Sequence, residues 1–78
     1  MRSSFEIIAE ILETAKNGAK KTRIMYSCGL SYRFVHKYLT LLLEAGLLET
    51  GNSFCTTGKG MGFLRNYQTL DLLMNTRC

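Results

Sequence analysis

The sequence predicts a mostly helical fold with one small β-hairpin, and three observations predict it. The chain of 78 residues contains no Pro and only seven Gly, which leaves long stretches free to run as uninterrupted helix. Apolar residues recur at helical spacing in four successive segments. Between the third and fourth of these, two short β-rich runs flank the turn pair Gly51-Asn52. With 46% apolar and 21% charged residues, four Tyr and four Phe, the composition is that of a packed domain and excludes a disordered tail. So short a chain buries only about 60–65% of the surface its unfolded form exposes, which excludes two domains and makes dimerisation a useful source of further burial.

The elements follow in order. Ser3-Ser4-Phe5-Glu6 has the form of a capping box and starts a first helix. Phe5, Ile8, Leu12 and Ala15, flanked by Ile7 and Ile11, form its apolar face, Glu6, Glu10 and Glu13 cover the other, and Asn17-Gly18 ends it. Lys20 to Cys28 is a second, shorter helix with Ile24, Met25 and Cys28 on one side, stopped by Gly29. Ser31 caps a third helix reaching about Ala45, with Val35, Tyr38, Leu39 and Leu42 inward, Arg33, His36, Lys37 and Thr40 outward, and Gly46 as a left-handed cap. Leu47–Thr50 and Ser53–Thr56 form a hairpin around a two-residue turn with Gly at its first position. Thr57 caps a last helix to about Asn75, in which Phe63, Tyr67, Leu70 and Met74 are spaced 4, 3, 4, the alternation of a coiled-coil seam, widened by Leu64, Leu72 and Leu73.

The joint between the second and third helices carries the functional signal. Counted from Lys21, apolar residues stand at places four, eight, ten, fifteen and eighteen (Ile24, Cys28, Leu30, Val35, Tyr38), with Gly29 at the ninth. Two helices meeting at such a turn make a helix-turn-helix, and the hairpin that follows makes a wing. The fold class is therefore a winged helix-turn-helix over residues 1–57 and a long C-terminal helix over 58–78, together one structural unit.

Charge points the same way. Ten Lys and Arg against six Asp and Glu give +4 and an isoelectric point near 9.2, a balance suited to a polyanion. From Thr14 to Leu43 there are six bases and no acid. In a helix-turn-helix the second helix enters the major groove and the first abuts the backbone. Ser31, Tyr32, Arg33, His36, Lys37 and Thr40 are then candidates for groove contacts, and Lys20, Lys21, Thr22 and Arg23 for phosphate contacts. Asn52 and Ser53, at the wing tip, are candidates for a minor-groove or sugar-phosphate contact. Phe63, Tyr67, Leu70, Leu73 and Met74 are the candidate dimer seam.

The segments Ala19-Lys20-Lys21-Thr22-Arg23-Ile24-Met25-Tyr26, Leu30-Ser31-Tyr32, Lys37-Tyr38-Leu39, Gly46-Leu47-Leu48 and Thr57-x-Lys59-Gly60-x-x-Phe63-Leu64 resemble the small archaeal winged-helix DNA-binding proteins. The resemblance runs from about Phe5 to Leu70. It implies a winged helix-turn-helix dimerised through an antiparallel coiled coil, and a role in transcriptional regulation or chromosome organisation. It also implies a DNA-facing surface made by residues 20–23 and the start of the third helix.

Other classes are disfavoured. The lone His36 has no nucleophile and carboxylate partners, and Gly58-Lys59-Gly60 lacks the spacing of a phosphate-binding loop, so no enzyme is expected. One His and three scattered Cys have no metal-ligand spacing, so neither metal nor cofactor is expected. The thiols read as reduced: Cys28 as a small core residue, Cys55 and Cys78 as candidates for exposure. No apolar run nears the roughly 18–20 residues of a membrane span, and the start of the chain lacks a secretory apolar core. The expectation is a cytoplasmic, nucleoid-associated homodimer that binds double-stranded DNA sequence-specifically with residues 31–45. The alternatives are an architectural DNA-binding protein and a protein-interaction module.

Overall fold

The computed structural model describes residues 3–75, so Cys78 lies outside the described residues; so does the side chain of Met74, whose backbone belongs to the last helix. The elements are α1 (Ser4–Thr14), a 3-10 turn (Ala15–Asn17), α2 (Lys21–Cys28), α3 (Tyr32–Glu44), β1 (Leu48–Thr50), β2 (Phe54–Thr56) and α4 (Gly58–Asn75). The capping box at Ser3 is complete: the Glu6 amide donates to Ser3 Oγ and the Ser3 amide to Glu6 Oε1, both at 3.2 Å.

The turn between α2 and α3 is a Schellman motif. Gly29 takes the left-handed conformation (φ 64°), its amide donates to the Tyr26 carbonyl and the Leu30 amide to the Met25 carbonyl. The geometry repeats after α3, where Gly46 has φ 79° and the amides of Gly46 and Leu47 donate to the carbonyls of Leu43 and Leu42. Ser31 Oγ accepts from the Phe34 amide at 3.3 Å and fixes where α3 begins.

One core joins all the elements. Ile11, Leu12 and Ala15 of α1 and its 3-10 extension, Ile24 and Cys28 of α2, Val35, Leu39 and Leu42 of α3, Leu48 of β1 and Leu64 of α4 are all buried. The apolar face of α1 sits differently from the sequence expectation. Phe5 lies one turn beyond the core and is 62% exposed, its ring stacked on Phe63 with centroids 6.5 Å apart, while Ala9 and Ile11 are buried in its place.

The hairpin also departs from expectation. β1 and β2 pair antiparallel with Thr50 opposite Phe54, so Gly51, Asn52 and Ser53 form a three-residue connection rather than a two-residue turn. Gly51 has no positive φ, which removes the primed turn that a two-residue hairpin needs. A third lane lies beside β2, where the Ala19 and Phe54 amides donate to each other's carbonyls at 2.9 and 2.8 Å. A one-residue strand has no period of its own, which is why Ala19 carries no strand signal in the sequence.

Thr57 ties the last helix down. Its hydroxyl donates to the Gly46 carbonyl at 2.7 Å and accepts from the Gly60 amide at 3.0 Å. Gly60 is buried so close to Leu47 that a Cβ would collide with that carbonyl oxygen.

Candidate nucleic-acid interface

The candidate surface is built by α2 and α3, held by the Schellman turn with their apolar sides in the core and their basic sides outward. Thr22, Arg23, Ser31, Tyr32, Arg33, His36, Lys37 and Thr40 are all exposed, and Lys21 is half-buried between the two helices. Lys21 is the hub. Its Nζ lies 3.2 Å from His36 Nδ1 and 4.3 Å from the centroid of the Tyr32 ring. An ammonium has only donors, so Nδ1 accepts and the ring proton sits on Nε2. The cation over the tyrosine face adds an electrostatic attraction. Lys21, Tyr32 and His36, fifteen residues apart at the extremes, thus form one cluster across the helix junction.

A second contact reaches the wing. Lys20 Nζ donates to the Asn52 carbonyl at 2.8 Å, which places a positive charge at a tip whose own residues, Gly51-Asn52-Ser53, carry none. Asn52 is exposed, whereas Ser53 is half-buried and turned against the backbone of Gly18. Ser31 is occupied as the cap of α3. Arg23, Arg33 and Lys37 meet no acid within ion-pair distance among the described residues. Aromatic exposure is what the sequence pattern does not reveal: Tyr26 is 80% and Phe34 51% exposed. The available signal is angular, since at 100° per residue Phe34 lies well off the stripe of Val35, Leu39 and Leu42.

An acidic groove lies between α1, α4 and the end of α2. Glu6, Glu10, Glu13, Thr14 and Ser27 line this open groove with Leu64, Tyr67 and Gln68. Partial burial raises the Tyr67 phenol above its usual 10.0, and the carboxylates of Glu6, Asp71 and Glu10 add to the rise. Of the expected dimer seam, Phe63 and Tyr67 are half-buried against their own domain, while Leu70 and Leu73 stand 61% and 60% exposed. Among the described residues no helix is long and apolar enough to cross a membrane.

Known proteins share this architecture. The sequence profile of the winged helix-turn-helix family matches residues 1–75. The chain is 36% identical over 78 residues to an uncharacterized protein of Methanocaldococcus jannaschii, covering 97% of this chain and 80% of that one. It is also similar to the crystal structure of Sso10a-2, a DNA-binding protein from Sulfolobus solfataricus, with a TM-score of 0.83 and 26% identity over 96% of this chain and 84% of the other.

Proposed function

The chain belongs to the winged helix-turn-helix family, and from that premise we propose that it is a homodimeric transcriptional regulator that binds double-stranded DNA sequence-specifically, with α3 in the major groove. The observation that carries this reading is the basic outward surface of α2 and α3, free of acids from Lys21 to Leu43, where Arg33, His36, Lys37 and Thr40 lie exposed on the second helix of a helix-turn-helix. Its similarity to a DNA-binding protein supports the same reading.

The roles divide by geometry. Arg33, His36, Lys37 and Thr40 face base edges, with Arg33 suited to a bidentate guanine contact and His36 offering its Nε2–H to an acceptor such as guanine O6 or N7. Lys20, Thr22 and Arg23 hold phosphates, and Lys20 carries that charge to the wing beside Asn52. Lys21 orients Tyr32 and His36. The exposed Leu70 and Leu73 pair with a second copy. A dimer presents two α3 helices and doubles the phosphate contacts.

The test is a titration of the protein against a random-sequence duplex at several salt concentrations, followed by selection of preferred sites from a random pool. The expected result is a steep, linear fall of log affinity with log salt and a recovered consensus. R33A together with K37A should cost about 1–3 kcal/mol for each base-edge interaction removed. Salt-dependent binding without a consensus makes the protein architectural. A double variant that binds like the wild type at every salt concentration moves the function to protein interaction.

A further inference from the structure

We infer that Phe34 reads the 5-methyl group of thymine in the major groove, beside the bases met by Arg33 and Lys37; this rests on the DNA-binding reading above. Four observations lead to it. Phe34 is in the first turn of α3, where its amide is fixed by the cap oxygen of Ser31 at 3.3 Å, and the first turn of such a helix is the part that meets base edges. It follows Arg33 directly and precedes Lys37 by three residues, about 60° round the helix. Any polyanion drawn to those two cations therefore comes against the phenyl ring.

The ring is also spare to the packing of its own domain. Half its surface faces water, while Val35, Leu39 and Leu42 supply the core side of the helix. Two other exposed aromatics have partners, Tyr32 under the Lys21 ammonium and Phe5 stacked on Phe63, and Tyr26, 80% exposed, belongs to α2 rather than to the first turn of α3. Phe34 has neither a ring nor a cation against it among the described residues. In the major groove the one apolar feature of a base pair is the thymine methyl, and a phenyl group is among the side chains that recognise it.

The experiment isolates that methyl. A duplex selected for tight binding is rebuilt with deoxyuridine in place of every thymidine, and both forms are titrated at one salt concentration with the wild type, F34A, F34L and R33A. Circular dichroism and melting confirm that each variant is folded, as expected for a half-exposed position. The selected site should contain thymine, and the wild type should bind the uracil form about fourfold more weakly per methyl touched. F34A should bind both forms alike, F34L should keep part of the difference, and R33A should lose affinity but keep the thymine-to-uracil ratio.

Equal wild-type affinity for the two duplexes overturns the inference, and so does an F34A variant that retains the wild-type ratio. The competing use of the ring is a protein contact, because Ile8, Tyr38 and Leu41 line an apolar groove on the side of α3 where Leu41 lies about 20° from Phe34. If F34A changes the sedimentation of the protein and leaves the thymine-to-uracil ratio intact, that use is the correct one and the inference falls. A wild type that binds no duplex refutes the DNA-binding reading itself, a result distinguishable from all of these.

Discussion

Helix α3 is strongly amphipathic and α4 only weakly so, and they present different surfaces. In α3 the apolar stripe of Val35, Leu39 and Leu42 ends where the core ends, and the outer face carries Arg33, Lys37 and Thr40. In α4 the first turns are locked to the domain through Gly60 and Leu64, but the stripe runs on past the core to Leu70 and Leu73. The lesson is one of length. Eighteen residues make a helix about 27 Å long, and the domain beneath it covers only the first half. A stripe that outruns its own core needs another apolar surface, whereas a charged face over a filled core needs a counter-charge.

The point at which α4 is anchored is the most sensitive in the domain. Gly60→Val places a side chain into the Leu47 carbonyl oxygen and against the Thr56 methyl. Backbone cannot step aside as a flexible side chain can, so the loss should be about 3 kcal/mol or more, outweighing the roughly 0.3 kcal/mol of helix propensity gained by replacing Gly with Val. Urea unfolding measures it. A variant as stable as the wild type would mean that α4 is not held by this close approach.

Gly60 also marks the boundary of what is legible in the sequence. The four helices, the two caps at Ser3 and Ser31, the helix-turn-helix spacing around Gly29 and the presence of a hairpin, though not the length of its turn, are readable, because each rests on local chemistry: period, cap residues and turn residues. Gly58, Gly60 and Gly62 look alike as weak points of a helix, and only the fold shows that Leu47 packs against Gly60 and nothing lies within 4 Å of a Cβ at the other two. The same holds for the site. That bases cluster on α2 and α3 follows from charge along the chain. That Lys21 turns toward Tyr32 and His36, that Lys20 reaches the wing and that Phe5 slides off the core depend on the angle at which elements meet, which no local pattern encodes.

The outer half of α4 gives the next largest effect. L70E together with L73E should leave the melting temperature of dilute protein unchanged, because both leucines are exposed in the single chain. Burying a leucine is worth about 1.5–3 kcal/mol, so removing two from a dimer interface should weaken association at least a hundredfold by sedimentation equilibrium. Unchanged association would place the second copy on another surface. On α3 the corresponding change is smaller: S31A removes the cap that fixes the first turn and should cost about 1 kcal/mol, with DNA affinity falling further than stability alone accounts for, since Arg33 and Lys37 are positioned by that turn.

The smallest expected effect lies in the acidic groove, where α1 and α4 meet. Tyr67 is held protonated by partial burial and by Glu6, Asp71 and Glu10, so its folded pKa lies above the usual 10.0 while the unfolded chain ionises at the usual value. The stabilising contribution is therefore complete below pH 10 and is lost as the pH climbs from there through the folded value. Ultraviolet titration should show an ionisation phase above the usual 10.0 that Y67F removes. If Y67F leaves the titration above pH 10 unchanged except in amplitude, the carboxylates of α1 do not reach the phenol, and the first half of α4 sits less closely on α1 than the Phe5–Phe63 stack implies.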